Sequence, residues 1–244
     1  MNKDLNIQVD AKHVVYGRFS GSLTQPLLII IHGLPCNIEE SLYLEAANWF
    51  EKQGYAVYRF NLYSYQADAR QLIDSTLTSH AADLDTVVNY FRQHKVKKIY
   101  VAGHSFGAPT ILTSPKQNFD TAILWDGSYD ISFAKEKYGY PGGKFIKELN
   151  GYLMHWGPNV IINKVMAEEV DNLPWDKLAT NFKKPLSIIA AGKGILVKGA
   201  KTYFATANSP KKLTIIKGAT HHFADSSKVR LELFKATKQW IDQF

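Results

Sequence analysis

Lys98-Ile99-Tyr100-Val101-Ala102-Gly103-His104-Ser105-Phe106-Gly107-Ala108-Pro109 is an apolar run that breaks at a Gly-x-Ser-x-Gly turn and continues into helix-compatible residues. Residues 98–102 have the composition of a buried strand, and 108–113 can form a helix. Pro109 falls in the first turn of that helix, where its missing N–H costs little. The two glycines let the turn be sharp, because a Cβ at either would crowd the neighbouring backbone. Such a turn lifts Ser105 above the carboxyl end of a sheet. A serine hydroxyl becomes a nucleophile only when a neighbouring base takes its proton. The pattern therefore predicts either a catalytic serine or an ordinary strand-to-helix turn, and the rest of the chain must separate the two.

Outward from this turn, strand and helix signals alternate. Leu27-Leu28-Ile29-Ile30-Ile31 is continuously apolar, as expected of a strand covered on both faces. A helix follows over 41–52, with Leu44, Ala47, Trp49 and Phe50 turned inward and Gly54 ending it. Residues 55–62 read as a strand, 68–79 as loop with some helix, and 81–93 as a helix burying Leu84, Val87, Val88 and Phe91. Strands are expected at 121–125, 186–191 and 212–216, and a final amphipathic helix at 226–244. This is the order of an α/β protein with a mostly parallel twisted sheet flanked by helices. Residues 127–183 differ in character, being rich in aromatics and broken by Tyr140-Pro141-Gly142-Gly143 and Gly157-Pro158. They are expected to form a helical cap inserted before the last two strands, on a core of residues 1–126 and 184–244.

The chain has 244 residues, 45% of them hydrophobic, which fits one large core better than two domains. Its formal charge is +7, yet no basic run exceeds a pair such as Lys97-Lys98. A scattered lysine surface argues against nucleic-acid binding. The five-residue run Leu27–Ile31 is too short to span a bilayer, and the N-terminus lacks the apolar segment of a signal peptide. A cytoplasmic protein with no stable membrane insertion is expected. Gly192-Lys193-Gly194 follows a strand, but the third glycine is displaced to Gly199 and no acid stands about twenty residues on, so no dinucleotide cofactor is expected.

Near the far end, Gly218-Ala219-Thr220-His221-His222-Phe223 follows the last strand. Either histidine can serve as base to Ser105. His221 is favoured, since Gly-Ala-Thr-His precedes an aromatic. The pair is not expected to hold a metal, because no third ligand lies at suitable spacing. Cys36, the single cysteine, cannot form an internal disulfide and has no base signal around it, so a small buried side chain is expected.

The loop His32-Gly33-Leu34-Pro35, the elbow Gly103–Gly107 and the histidine loop Gly218–Phe223 occur in this order, and together they resemble the α/β-hydrolase superfamily over nearly the whole chain. A closer likeness is to the platelet-activating-factor acetylhydrolases. They share Gly-His-Ser-Phe-Gly, an acid at the end of the following strand, and a histidine loop continuing into Phe-Ala-Asp, here Phe223-Ala224-Asp225. Small capped bacterial esterases are similar too. The resemblance implies Ser105 as nucleophile, His221 as base, and an oxyanion hole from the N–H groups of Leu34 and Phe106, with Gly33 letting the loop turn. The acid in this fold comes most often after the strand preceding the last. Here that place reads Ala191-Gly192-Lys193-Gly194, without a carboxylate. The alternative address, the end of strand 121–125, holds Asp126. Asp130 is its nearest rival, with Glu168, Glu169 and Asp171 more remote.

The insertion is expected to cover the carboxyl ends of the strands, with Tyr129, Phe133, Tyr138, Trp156 and Trp175 among its apolar residues. Gly33, Tyr129 and Trp156 are the expected substrate contacts. An apolar cover favours an acyl or aryl ester of small to medium size over a sugar or a highly charged substrate. The expected activity is a carboxylic ester hydrolase working through an acyl-enzyme, without a cofactor. An acyltransferase, a thioesterase or lipase, and a non-catalytic binding member of the same fold are the alternatives.

Overall fold

The computed structural model describes residues 3–137 and 141–244; the expectation for Tyr138 lies outside them. The chain opens with β1 (Lys3–Asp4), β2 (Ile7–Gln8), β3 (Val14–Val15) and β4 (Gly17–Ser20). The alternating part follows: β5 (Leu27–Ile31), α1 (Ser41–Lys52), β6 (Ala56–Phe60), α2 (Leu77–Gln93), β7 (Ile99–His104), α3 (Gly107–Leu112) and β8 (Thr121–Trp125). An insertion contributes β9 (Lys144–Ile146), β10 (Gly151–His155), β11 (Asn159–Asn163), α4 (Lys164–Asp171) and α5 (Leu178–Asn181). The chain closes with β12 (Leu186–Ala191), α6 (Val197–Thr206), β13 (Lys211–Ile216) and α7 (Ser227–Ile241).

Eight strands form one sheet in the order β1-β4-β6-β5-β7-β8-β12-β13. From β6 to β13 all neighbours are parallel, while β4 joins β6, and β1 joins β4, antiparallel. The continuous apolar run of β5 is explained by cover on both faces. Leu27, Ile29 and Ile31 pack in one core with Leu84, Val87, Val88 and Phe91 of α2. Leu28 and Ile30 pack in the other, with Leu42, Ala46 and Phe50 of α1 and Leu233, Phe234 and Trp240 of α7. Burying each such side chain is worth on the order of 2 kcal/mol.

Two helices depart from the sequence expectation. Helix α1 buries Leu42, Tyr43, Ala46, Ala47 and Phe50, so its inner face is turned away from the expected Leu44 and Trp49, which are half-buried. Helix α2 begins a turn before residue 81, because Thr76 and Ser79 cap it reciprocally. The Ser79 N–H donates to Thr76 Oγ1 at 3.0 Å and the Thr76 N–H to Ser79 Oγ at 2.9 Å.

The segment between β8 and β12, expected to be a helical cap, is not wholly helical. Strands β9, β10 and β11 form a three-stranded antiparallel sheet. The β-branched run Val160-Ile161-Ile162 favours a strand, and Gly157, at φ 93°, turns the hairpin between β10 and β11. Among the described residues, α4, α5 and a short 3-10 turn at Lys147–Leu149 match the helical expectation. Met154, Ile162, Met166, Val170 and Trp175 of the insertion are buried in the same core as α2, so this segment is packed onto the body.

Candidate active site

The register of the sheet sets the site. His104 of β7 pairs with Trp125 of β8, so Ser105 and Asp126 each stand one residue beyond paired positions on adjacent strands. Ser105 has φ 53°, in the left-handed region, and its N–H donates to the Trp125 carbonyl at 3.1 Å. That conformation costs a non-glycine residue about 1–2 kcal/mol. The glycines around it are required by close approach. A Cβ on Gly103 would lie 2.6 Å from the Gly107 carbonyl oxygen, and one on Gly107 would lie 2.9 Å from that of Ile31.

Three side chains singled out from the sequence converge. His221 Nε2 lies 3.0 Å from Ser105 Oγ, and His221 Nδ1 lies 2.7 Å from Asp126 Oδ2. A carboxylate only accepts, so Nδ1 carries the proton and Nε2 is left with a lone pair facing the serine hydroxyl. Asp126 is 1% exposed and its charge is not left bare. Its Oδ1 accepts the Ala191 N–H at 2.9 Å, and its own N–H donates to the Ile189 carbonyl at 2.7 Å. Both partners belong to β12. The turn after β12, which lacks a carboxylate of its own, lies against this one: a Cβ on Gly194 would be in ordinary contact with Asp126 Oδ2, at 3.5 Å. Asp130 pairs instead with Lys137, 2.5 Å away. Glu168 pairs with Lys164 at 3.5 Å, and Glu169 accepts the Thr78 N–H at 3.2 Å.

The loop after β5 presses against Ser105. A Cβ on Gly33 would lie 2.6 Å from the Ser105 Cβ, so only glycine fits there. The Gly33 N–H is engaged by Tyr43 Oη at 3.2 Å, which leaves Leu34 as the next donor of that loop. The Ser105 N–H is engaged likewise, which leaves Phe106. His32 secures the loop from below. Its Nε2 accepts the Leu62 N–H at 3.0 Å and its Nδ1 donates to the Gly33 carbonyl at 2.7 Å. Burial holds its pKa down to about 4, so it stays neutral.

A second hydrogen-bonded run escaped the sequence reasoning. His104 is fully buried; its Nε2 donates to the His221 carbonyl at 2.9 Å, and its Nδ1 accepts from the Tyr43 hydroxyl at 2.8 Å. Tyr43 in turn accepts the Gly33 N–H. The run joins the loop of Leu34, helix α1, the elbow and the histidine loop. Burial first, and the neighbouring His221 second, hold His104 well below the usual histidine range. It stays neutral beside the His221 ring, 4.7 Å away between centroids. No short motif announces this, because Tyr43 meets His104 only through the fold.

Of the expected substrate contacts, Trp156 packs on Phe133 at 5.7 Å between centroids, and Phe133 on Phe106 at 5.7 Å, a row of rings leading from the elbow into the insertion. Tyr129 packs elsewhere, on Tyr203 at 5.0 Å and Trp175 at 6.0 Å. It lines a hollow of about 50 Å³ with Ile195, Leu196, Lys198 and Gly199, room for water rather than an acyl chain. Cys36 is buried, and burial together with the Glu40 charge pushes its thiol up to about 12, far from a free thiolate nucleophile. The histidine pair is not as isolated as its spacing implies: the ligand atoms of His222, Cys36 and Glu40 lie within 4.8 Å of one another.

No known family profile matches the chain, and no curated protein matches it. Its structure does have similar solved structures. Est1E from Butyrivibrio proteoclasticus superposes with a TM-score of 0.78 at 19% identity, covering 98% of each chain. The α/β hydrolase GrgF from a Penicillium species gives 0.80 at 14% identity, covering 100% of this chain and 98% of the other. A dienelactone hydrolase from Anabaena variabilis gives 0.71 at 12% identity, with 100% and 98% covered. Over its whole length, the chain has the α/β-hydrolase fold.

Proposed function

We propose that this protein is a serine hydrolase that cleaves a carboxylic ester through an acyl-enzyme, with Ser105 as nucleophile, His221 as base and Asp126 as acid. The observation that carries this is the unbroken hydrogen-bonded run from Ser105 Oγ through His221 to Asp126, at 3.0 and 2.7 Å. His221 Nε2 takes the serine proton as Oγ attacks the ester carbonyl carbon. Asp126 holds the imidazole in the productive tautomer and stabilises the imidazolium. The negative charge that develops on the carbonyl oxygen is met by the N–H groups of Leu34 and Phe106. The imidazolium then protonates the leaving alkoxide, and water repeats the sequence to release the acid and restore Ser105.

The rings of Phe106, Phe133 and Trp156 favour an acyl or aryl ester of small to medium size. Est1E, one of the similar structures, has been solved with ferulic acid bound. That supports testing aryl esters first, while substrate identity rests on assay. Labelling with a fluorophosphonate probe tests the nucleophile: wild type is labelled and Ser105→Ala is not. Equal labelling of both overturns the assignment.

A further inference from the structure

Among the described residues, one cluster of metal-ligating side chains stands outside the Ser105 centre and is unused by the reaction. Cys36 lies in the loop after β5, Glu40 immediately precedes α1, and His222 follows His221 in the loop after β13. Their sulfur, oxygen and nitrogen ligand atoms lie within 4.8 Å of one another. Cys36 is 6% exposed, Glu40 half-buried and His222 exposed, so the three residues run from the interior to the surface. A thiolate, an imidazole and a carboxylate are the donors of a borderline-soft divalent ion such as Zn²⁺, and a poor set for Mg²⁺ or Ca²⁺. Metal–ligand bonds near 2.1 Å put tetrahedral ligands roughly 3.5 Å apart, so the triangle has to tighten by only about 1 Å.

We propose that Cys36, Glu40 and His222 form a binding site for a Zn²⁺-class cation, with its fourth position open to water, that clamps the loop of Leu34 to the loop of His221. Binding forms a sulfur–metal bond and displaces the thiol proton to solvent: one proton leaves for each ion bound, and nothing is oxidised or reduced. The ion stands beside the catalytic histidine, since the rings of His221 and His222 are 5.2 Å apart. The clamp ties the loop of Leu34 to the loop that carries His221, so loading restrains that loop and slows ester cleavage. This last consequence rests on the function proposed above, whereas binding itself does not.

The test is a titration of chelator-treated protein with Co²⁺ and then Zn²⁺. Wild type is expected to give a thiolate-to-cobalt charge-transfer band. Zn²⁺ calorimetry in two buffers of different ionisation enthalpy is expected to report release of about one proton. Cys36→Ser removes the band, and His222→Gln, a surface change that leaves the fold intact, weakens Zn²⁺ binding by about tenfold or more. Wild type without the band, or with Zn²⁺ affinity unchanged by His222→Gln, overturns the site. Zn²⁺ is expected to inhibit wild type and to spare His222→Gln at the same concentration. Binding without inhibition keeps the site and removes its regulatory effect. Binding by a protein that cleaves no ester keeps the site and sinks the hydrolase proposal instead.

Discussion

The ends of β8 and β12 stand side by side in the sheet and carry opposite chemistry. β8 ends in Asp126, whose carboxylate reaches His221 at 2.7 Å. β12 ends in Ala191-Gly192-Lys193-Gly194, which offers the Ala191 N–H to that carboxylate at 2.9 Å and no acid of its own. In the fold this chain resembles, the second address is the commoner one for the acid. The difference teaches that one strand end can place a buried carboxylate at His221 Nδ1 while the neighbouring strand end supplies its hydrogen-bond support. The strand without the acid becomes its support.

The largest effect that breaks this comparison is Asp126→Asn. It is expected to lower ester turnover by about three to four orders of magnitude, as loss of a triad Asp does, with Asp130→Asn close to wild type. The reverse result in steady-state kinetics would move the acid to Asp130. A smaller effect sharpens the idea of two addresses. Adding Gly194→Asp to Asp126→Asn is expected to restore turnover by about tenfold, some 1.4 kcal/mol of barrier. No gain in kcat over the single variant, with the fold intact by circular dichroism, would mean that the β12 end cannot address His221. The smallest effect concerns the support on the other side of the site. Tyr43→Phe removes the hydroxyl between Gly33 and His104, and about 1–2 kcal/mol of stability is expected to go with it. The denaturant midpoint reads that loss, and an unchanged midpoint would show the run to be dispensable.

The legibility of the molecule follows the range of the interactions involved. The core elements were legible because each is set by a short repeat. The five-residue run of β5 demands cover on both faces, and the glycines flanking Ser105 demand a sharp turn. The insertion was misread as helical because its aromatics and its Gly and Pro breaks obscured a β-branched run that pairs with β10. The early start of α2 was missed because Thr76 is answered by a serine at position 79, rather than by the Glu or Gln of the usual capping box.

By itself, the sequence determined the α/β alternation, the elbow of Ser105, the histidine loop and the short choice of carboxylates. All of these are patterns over a few residues, where backbone sterics and apolar periodicity act locally. Only the tertiary structure decided which acid answers His221, across 95 residues, and which histidine nitrogen faces Ser105, across 116. The same holds for the Tyr43–His104 run and for the meeting of Cys36, Glu40 and His222. Hydrogen bonds and metal-ligand geometry act over about 3 Å. Side chains so distant in sequence come within that reach only when sheet register and loop packing bring them there.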